Sequence, residues 1–137
     1  MLRTADGAGV ERVFLCGCTP APIDRFGRAC PGIAKTALGA ERIVPWEQCT
    51  DTESLLQHLK HEGVRVVALE QHDRSVPYTS LTPHTPIALV VGEEVHGIPE
   101  HILELCDAII DIPMRGAKES LNVSVATGIA LYRLREN

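Results

Sequence analysis

The run IALVVG at positions 87–92 is apolar throughout, and it constrains the fold more than any other stretch of this 137-residue chain. A strand with one solvent-facing side alternates apolar and polar residues, whereas a strand covered on both faces is apolar without interruption. A further strand pattern, AIIDIP, follows at 108–113 and is apolar except for Asp111. Strands of this kind belong to parallel sheets, whose crossover connections place helices over the faces. The sequence therefore predicts an α/β protein with a mostly parallel sheet and helices on both faces.

The remaining segments alternate between strand and helix patterns, as this class requires. Strands are predicted at 11–17, 64–71, 87–92 and 108–113, and helices at 50–63, 99–107 and 120–135, with a short helix at 33–40. Proline-rich stretches at 18–32 and 72–86 are predicted to be loops. A parallel α/β domain normally opens with a strand, but positions 2–10 have the pattern of a helix end. We therefore expect a single domain, 1–137, that lacks its first strand.

Composition narrows the class of protein. The chain is 45% hydrophobic and 23% charged, which is ordinary for a globular protein. No window approaches the roughly 18 apolar residues of a membrane span, and the first residues lack a secretory signal pattern. We expect a cytoplasmic protein that does not contact a membrane. The five cysteines include no C-x-x-C, so buried or idle thiols are expected. His58 and His61 are three residues apart, but no third and fourth ligands accompany them, so no bound metal is expected.

Charge is distributed unevenly along the chain. The net charge is −5, but positions 1–42 hold six Lys and Arg against four acids, and the remainder holds seven against fourteen. A polyanion would prefer the N-terminal third. The alternative is that this difference reflects only a solvated surface.

Two glycine-containing loops follow apolar strands. The first, VVGEEVHGIPE, places Gly92, Glu94 and Gly97 just after a strand, where parallel folds bind ligands. The second, IPMRGAKESLN, ends in Ser120 and Asn122 at the start of the last helix. Ser120 is expected to cap that helix, and Asn122 to be a buried carboxamide that needs hydrogen-bond partners. Both loops are expected to line one pocket, although each is also explained as a tight connection.

These stretches, with RTADGAGV near the N-terminus, resemble the SpoU/TrmH class of the SPOUT RNA methyltransferases. The third motif of that class, IPMxGxxxSLNVSVA, is matched at every fixed position by residues 112–126. The first motif places an Asn-x-Gly ahead of an Arg-Thr-Ala helix, and the chain matches it only from Arg3 onward. The resemblance extends over essentially the whole chain.

The resemblance implies a C-terminal trefoil knot, a homodimer, and S-adenosylmethionine bound in a bent form against the knot loops. Carried over to this sequence, the cofactor-binding residues are Gly92, Ile112, Met114 and Leu121. The implied reaction is methyl transfer to a ribose 2′-hydroxyl of tRNA or rRNA.

The resemblance also implies roles for polar residues. A ribose hydroxyl is a weak nucleophile that must be held in line and must lose its proton. Arg3 is implied to help activate it, and Glu94, Ser120 and Asn122 to shape the catalytic site. A free arginine is too basic to accept the proton unaided, so phosphate binding is the alternative role of Arg3.

RNA is expected to contact Arg3 and the loop that carries Arg25 and Arg28. Two other functions stay open. A cofactor- or RNA-binding remnant without catalysis would follow from the absent first strand and upstream asparagine. A Rossmann-type small-molecule enzyme would need a glycine pattern that the sequence lacks.

Overall fold

The computed structural model describes residues 1–17 and 38–136, which fall into two compact units, Met1–Thr52 and Glu53–Asn137. Each unit contains its own parallel strands. The single domain expected over 1–137 stays a prediction. The loop at 18–32 and most of the helix at 33–40 lie outside the described residues.

The first unit consists of a helix, two paired strands and a 3-10 turn. Its elements are α1 (Leu2–Gly7), β1 (Val13–Cys16), the 3-10 turn Ala40–Arg42 and β2 (Trp46–Cys49). The helix end and β1 confirm the predictions for those segments. Strand β2 was not predicted, because its four residues, WEQC, place two polar residues between two partly buried ones and are too few to establish a pattern. Leu2 and Ala40 form a small core against which Val13 packs.

The two strands of the first unit are parallel, and their last residues, Cys16 and Cys49, are direct partners. Both are half-buried, as is Cys106 in the second unit. Burial raises the pKa of the Cys16 thiol, and Cys49 raises it further, whereas a hydrogen bond with Thr52 lowers it. Cys18 and Cys30 lie outside the described residues.

The second unit contains a four-stranded parallel sheet in the order β4-β6-β3-β5. Its elements are α2 (Thr52–His61, whose first residue falls at the boundary), β3 (Arg65–Leu69), β4 (Val76–Pro77), β5 (Ile87–Val91), α3 (Glu100–Leu103), β6 (Ala108–Asp111) and α4 (Val123–Arg135). The predicted class, α/β with a parallel sheet, is confirmed.

Helices cover both faces of this sheet. Successive residues of a strand point to opposite faces, so one strand packs against helices on both sides. Val66 and Ala68 of β3 face α2 and α3, where they pack against residues such as Leu56 and Ile102. Val67, between them, joins the opposite cluster with Ala130 of α4. These three consecutive residues of β3 are fully buried. The strand that is covered most completely on both faces is therefore β3, and not β5, whose apolar run was singled out in the sequence.

Three boundaries differ from the predictions. The expected loop 72–86 contains β4, a two-residue strand that is too short for a sequence pattern and is recognised only by its pairing with Ile110 and Asp111. Helix α3 is shorter than predicted because the following N–H groups bond three residues back, from Leu105 to Ile102 and from Cys106 to Leu103. Helix α4 begins at Val123, not at 120.

All four strands run in the same direction, so their carboxyl ends lie at one edge of the sheet. The segments that leave this edge are 70–75 after β3, 92–98 after β5, and 112–122 after β6. Within the described part of the chain, no helix has the length and apolar content that crossing a bilayer requires.

Candidate functional site

An open cavity of about 640 Å³ lies at the carboxyl ends of the strands in the second unit. Ligands in parallel α/β folds bind at this edge. Ile112, Pro113 and Met114, the first residues of the segment after β6, form one side of the cavity. The other lining residues come from the ends of β3, β4 and β6: Gln71, His72, Asp73, Pro77 and Asp111.

The segment 92–98 after β5 folds back on itself. Glu93 and Gly97 form a β-bridge, and the Gly97 N–H donates to the Glu93 carbonyl at 3.1 Å. A Cβ at Gly92 would lie 2.3 Å from the Gly97 carbonyl carbon and 2.6 Å from the Ile98 nitrogen. Glycine is therefore required at 92 by a close approach of backbone to backbone.

Glu70 at the end of β3 holds this segment in place. Its Oε2 accepts a hydrogen bond from the Ile98 N–H at 3.0 Å. A Cβ at Gly97 would lie 2.4 Å from that oxygen, and Gly97 also has a φ of +66°. The positive φ favours glycine at position 97, and the Glu70 side chain would have to shift to admit a Cβ there. The second glycine of the G-x-E-x-x-G pattern thus makes room for a carboxylate from another strand.

The segment 112–122 is attached to the same strand end. The Gln71 Nε2 donates to the Glu119 carbonyl at 2.8 Å. Gln71 itself lines the cavity, and its N–H donates to the Glu70 Oε1 at 3.0 Å. Glu70 and Gln71, the two residues that follow β3, therefore contact segments 92–98 and 112–122, which the sequence singled out.

Asn122, and not Ser120, caps the last helix. The Asn122 Oδ1 accepts from the Ser124 N–H at 2.9 Å, and its φ and ψ of −54° and 137° are non-helical. The expectation that Ser120 is the cap is wrong, because the helix begins three residues later than predicted. Asn122 is also exposed, so the expectation of a buried carboxamide is wrong as well.

The mouth of the cavity carries charged side chains. Asp73 and Asp111 line it, and the Asp111 carboxylate accepts from the Ser75 hydroxyl. His72 contacts the Glu100 carboxylate at 3.0 Å. This hydrogen bond is the main reason that the pKa of Glu100 is lowered, with the charges of His72 and Arg74 contributing. The lining therefore offers carboxylate acceptors beside the apolar surface of Ile112 and Met114.

The predicted site residues fall in three places. Ile112 and Met114 line the cavity, whereas Gly92 and the rest of segment 92–98 are not among its lining residues, so the expectation that both loops line this one pocket is wrong. Leu121, Ser120 and Glu94 are exposed on the segments 112–122 and 92–98. Arg3 is exposed on α1 of the first unit. Arg25 and Arg28 lie outside the described residues.

No metal site appears among residues 1–17 and 38–136, where no three His, Cys, Asp or Glu side chains are grouped closely enough to hold an ion. The residues that the sequence did not single out are Glu70 and the cavity residues at 71–73. One signal pointed to them, since LEQHD places four polar residues directly after an apolar strand.

The fold and the cavity define an α/β protein with an open cavity at the carboxyl ends of parallel strands. The model of the SpoU rRNA Methylase family matches residues 1–132, and the chain belongs to this family. The resemblance on which the sequence interpretation was based is thereby confirmed.

Curated relatives are named as enzymes that act on ribosomal RNA. The chain is 38% identical over 131 residues to the 23S rRNA (guanosine-2′-O-)-methyltransferase RlmB of Ralstonia nicotianae, covering 96% of this chain and 50% of that protein. It is 36% identical over 135 residues to the RlmB of Coxiella burnetii, covering 98% and 51%. The chain thus spans about half the length of the curated relatives it matches.

Solved structures agree with the fold. An AdoMet-bound rRNA methyltransferase from Sinorhizobium meliloti matches with a TM-score of 0.85 and 31% identity, over 98% of this chain and 49% of that one. The TrmH/SpoU tRNA modifying enzyme of A. aeolicus matches with a TM-score of 0.81 and 33% identity, over 98% and 64%.

Proposed function

We propose that this chain is a catalytic domain, spanning 1–137, of an S-adenosylmethionine-dependent methyltransferase that modifies a ribose 2′-hydroxyl of RNA. The observation that carries the proposal is the position of Ile112 and Met114. These residues belong to the third family motif, and they line a cavity at the carboxyl ends of parallel strands. The relatives named as rRNA 2′-O-methyltransferases and the AdoMet-bound neighbour support the same activity.

The cavity suits the chemistry of S-adenosylmethionine, which supplies a methyl group on a positively charged sulfonium. Its volume of about 640 Å³ falls within the usual range for small-molecule sites. Asp73 and Asp111 offer negative charge to a cationic ligand, and Ile112 and Met114 offer apolar surface. Backbone groups at Gly92, Ile112 and Leu121 would hold the cofactor, with Met114 packing beside it.

Catalysis would depend on side chains that orient the ribose and help to remove its proton. Arg3 would bind the hydroxyl or the adjacent phosphate, and either contact would fix the nucleophile. Asn122 uses its Oδ1 for the helix cap, which leaves its amide N–H groups as donors to the site. Ser120 and Glu94 are exposed polar groups that would shape the surface met by the RNA.

The partners would be tRNA or rRNA and a second copy of the chain. Arg3, Arg25 and Arg28 would contact RNA, in keeping with the basic balance of positions 1–42. An exposed apolar row on α4 supports a homodimer. We also infer a trefoil knot, which the family to which residues 1–132 are matched implies. A cytoplasmic location fits RNA modification.

The test is transfer of a labelled methyl group from S-adenosylmethionine to bulk rRNA and bulk tRNA, assayed separately. Arg3→Ala is expected to abolish transfer and leave cofactor affinity nearly unchanged, because Arg3 is proposed to act on the RNA. Arg42→Ala, which removes another exposed arginine of the first unit, is the matched control and should retain transfer.

The remnant hypothesis makes a different prediction. It would be supported by measurable cofactor binding without transfer to either RNA. A parallel loss of cofactor binding and transfer in Arg3→Ala would show that this arginine is structural.

A further inference from the structure

Glu70 joins the ends of three strands through its own backbone and side chain. It directly follows β3, and its N–H donates to the Ile110 carbonyl of β6 at 3.0 Å. Its Oε2 accepts from the Ile98 N–H at 3.0 Å, so the side chain also reaches the segment that follows β5. One residue therefore connects the carboxyl ends of β3, β5 and β6.

The Glu70 carboxylate lies directly against Gly97. Any side chain at position 97 would stand 2.4 Å from the Glu70 Oε2. The carboxylate and the missing side chain occupy complementary space, and the segment 92–98 is held by a charge-assisted hydrogen bond at its C-terminal end.

Gln71 continues the connection to the other segment. The Glu70 Oε1 accepts the Gln71 N–H at 3.0 Å, which orients the glutamine. The Gln71 Nε2 then donates to the Glu119 carbonyl at 2.8 Å, in the middle of segment 112–122. Gln71 is exposed and packs in neither core cluster, so its contribution to global stability is small.

We propose that Glu70 and Gln71 are positioning residues of the cofactor site, resting on the proposed function. They hold segments 92–98 and 112–122 at the end of the central strand, so that backbone groups from both meet one ligand. A site made of backbone N–H and C=O groups binds well only when those groups are held in the productive geometry. When the segments are released, only a fraction of molecules is competent, and the affinity falls by that fraction.

The decisive variant is Gln71→Ala, with Gln57→Ala on the exposed side of α2 as the matched control. Affinity for S-adenosylmethionine is measured by titration calorimetry, and stability by urea denaturation. Loss of one hydrogen bond should weaken binding by about three- to tenfold. The denaturation midpoint of Gln71→Ala should match that of Gln57→Ala. Gln57→Ala should bind the cofactor as tightly as the wild-type chain.

Glu70→Gln tests the other connection. It presents an amide NH₂ where a carboxylate oxygen accepts a backbone N–H, so one of two acceptors is lost. Hydrogen–deuterium exchange without cofactor should then rise in 92–98, whereas Gln71→Ala should raise it in 112–122. Faster exchange across the whole of the second unit would instead indicate a purely structural role and overturn the proposal.

The outcomes separate the two proposals. If Gln71→Ala binds the cofactor as tightly as the wild-type chain and its hydrogen exchange in 112–122 is unchanged, the positioning role alone is overturned. Cofactor binding without methyl transfer contradicts the proposed reaction and leaves the affinity comparison intact. Wild-type chain without cofactor affinity overturns both.

Discussion

At the residue scale, neighbouring backbone atoms leave no space for a side chain at Gly92. The atoms that a side chain would meet belong to the backbone of Gly97 and Ile98, which cannot move aside as a flexible side chain could. Gly116 in the next segment is different, since a Cβ there would meet nothing within 4 Å. Substitution by alanine at Gly92 can therefore be compared with the same substitution at Gly116.

Gly92→Ala is expected to destabilise the protein by about 1–3 kcal/mol, the usual cost of forcing atoms into a packed region. It should also reshape segment 92–98 and weaken cofactor binding. Gly116→Ala should change neither quantity. Urea denaturation and titration calorimetry measure both effects, and equal behaviour of the two variants would contradict the close approach at Gly92.

Cys106 provides a prediction about pH. Burial raises the pKa of its thiol to about 11, and the charge of Asp107 adds to this. The folded protein should therefore react slowly with iodoacetamide near pH 8, and the rate should keep rising between about pH 9 and 11. In urea the thiol should titrate near the ordinary value of roughly 8.5.

The sign of the stability effect follows from the same shift. The folded state holds the Cys106 proton more tightly than the unfolded state, so stability is fully present below the unfolded pKa. It declines as pH rises from there toward the folded value. Peptide mapping of the labelled chain identifies Cys106, and rapid labelling of the native protein at pH 8 would be inconsistent with the raised pKa.

At the scale of elements, the start of α4 is set by Asn122. The sequence pattern predicted Ser120 as the cap, whereas in the structure the Asn122 side chain caps the helix. The segment that precedes the cap is held at Glu119 by the Gln71 side chain.

Asn122→Ala should lower the free energy of unfolding by about 0.5–2 kcal/mol, because the Ser124 N–H loses its acceptor. Asn122→Asp keeps the acceptor and should retain this stability. If the carboxamide also contacts the substrate or cofactor, Asn122→Asp should still bind or react poorly. Denaturation and transfer assays on both variants separate the cap from the chemistry, and a stable Asn122→Ala would disprove the capping role.

At the scale of the whole molecule, α4 exposes an apolar row. Val125, Ile129 and Tyr132 lie four and three residues apart and so share one helix face. They are 53%, 37% and 54% exposed, and Leu121 precedes them at 36%. We propose that this row is the surface through which two copies of the chain associate. The opposite side of α4 packs on the sheet through Ala130 and Leu134.

Val125→Glu and Ile129→Glu are expected to convert a dimer to monomers, because a dimer interface on this face would bury an unpaired carboxylate. Ile43→Glu, at an exposed apolar residue of the first unit, is the control and should stay dimeric. Analytical ultracentrifugation measures the masses. A wild-type monomer, or variants that remain dimers, would contradict the homodimer.

The sequence alone determined the class of fold, the order of most elements and the family. Strands β3, β5 and β6 and helices α2 and α4 are visible because apolar periodicity is local and reflects which faces are buried. The motif at 112–126 identified the segment that lines the cavity. Short elements such as β2 and β4 were missed, because two to four residues carry no period.

Only the tertiary structure showed what holds the site together. Glu70 and Ile98 are 28 residues apart, and Gln71 and Glu119 are 48 apart. In the sequence, Glu70 is a polar residue after a strand, and Gly97 is a permissive residue in a loop. The folded chain brings the carboxylate to the place where a side chain at 97 would stand. Periodicity cannot encode such a contact, because it depends on strand order and on the distance between strand ends.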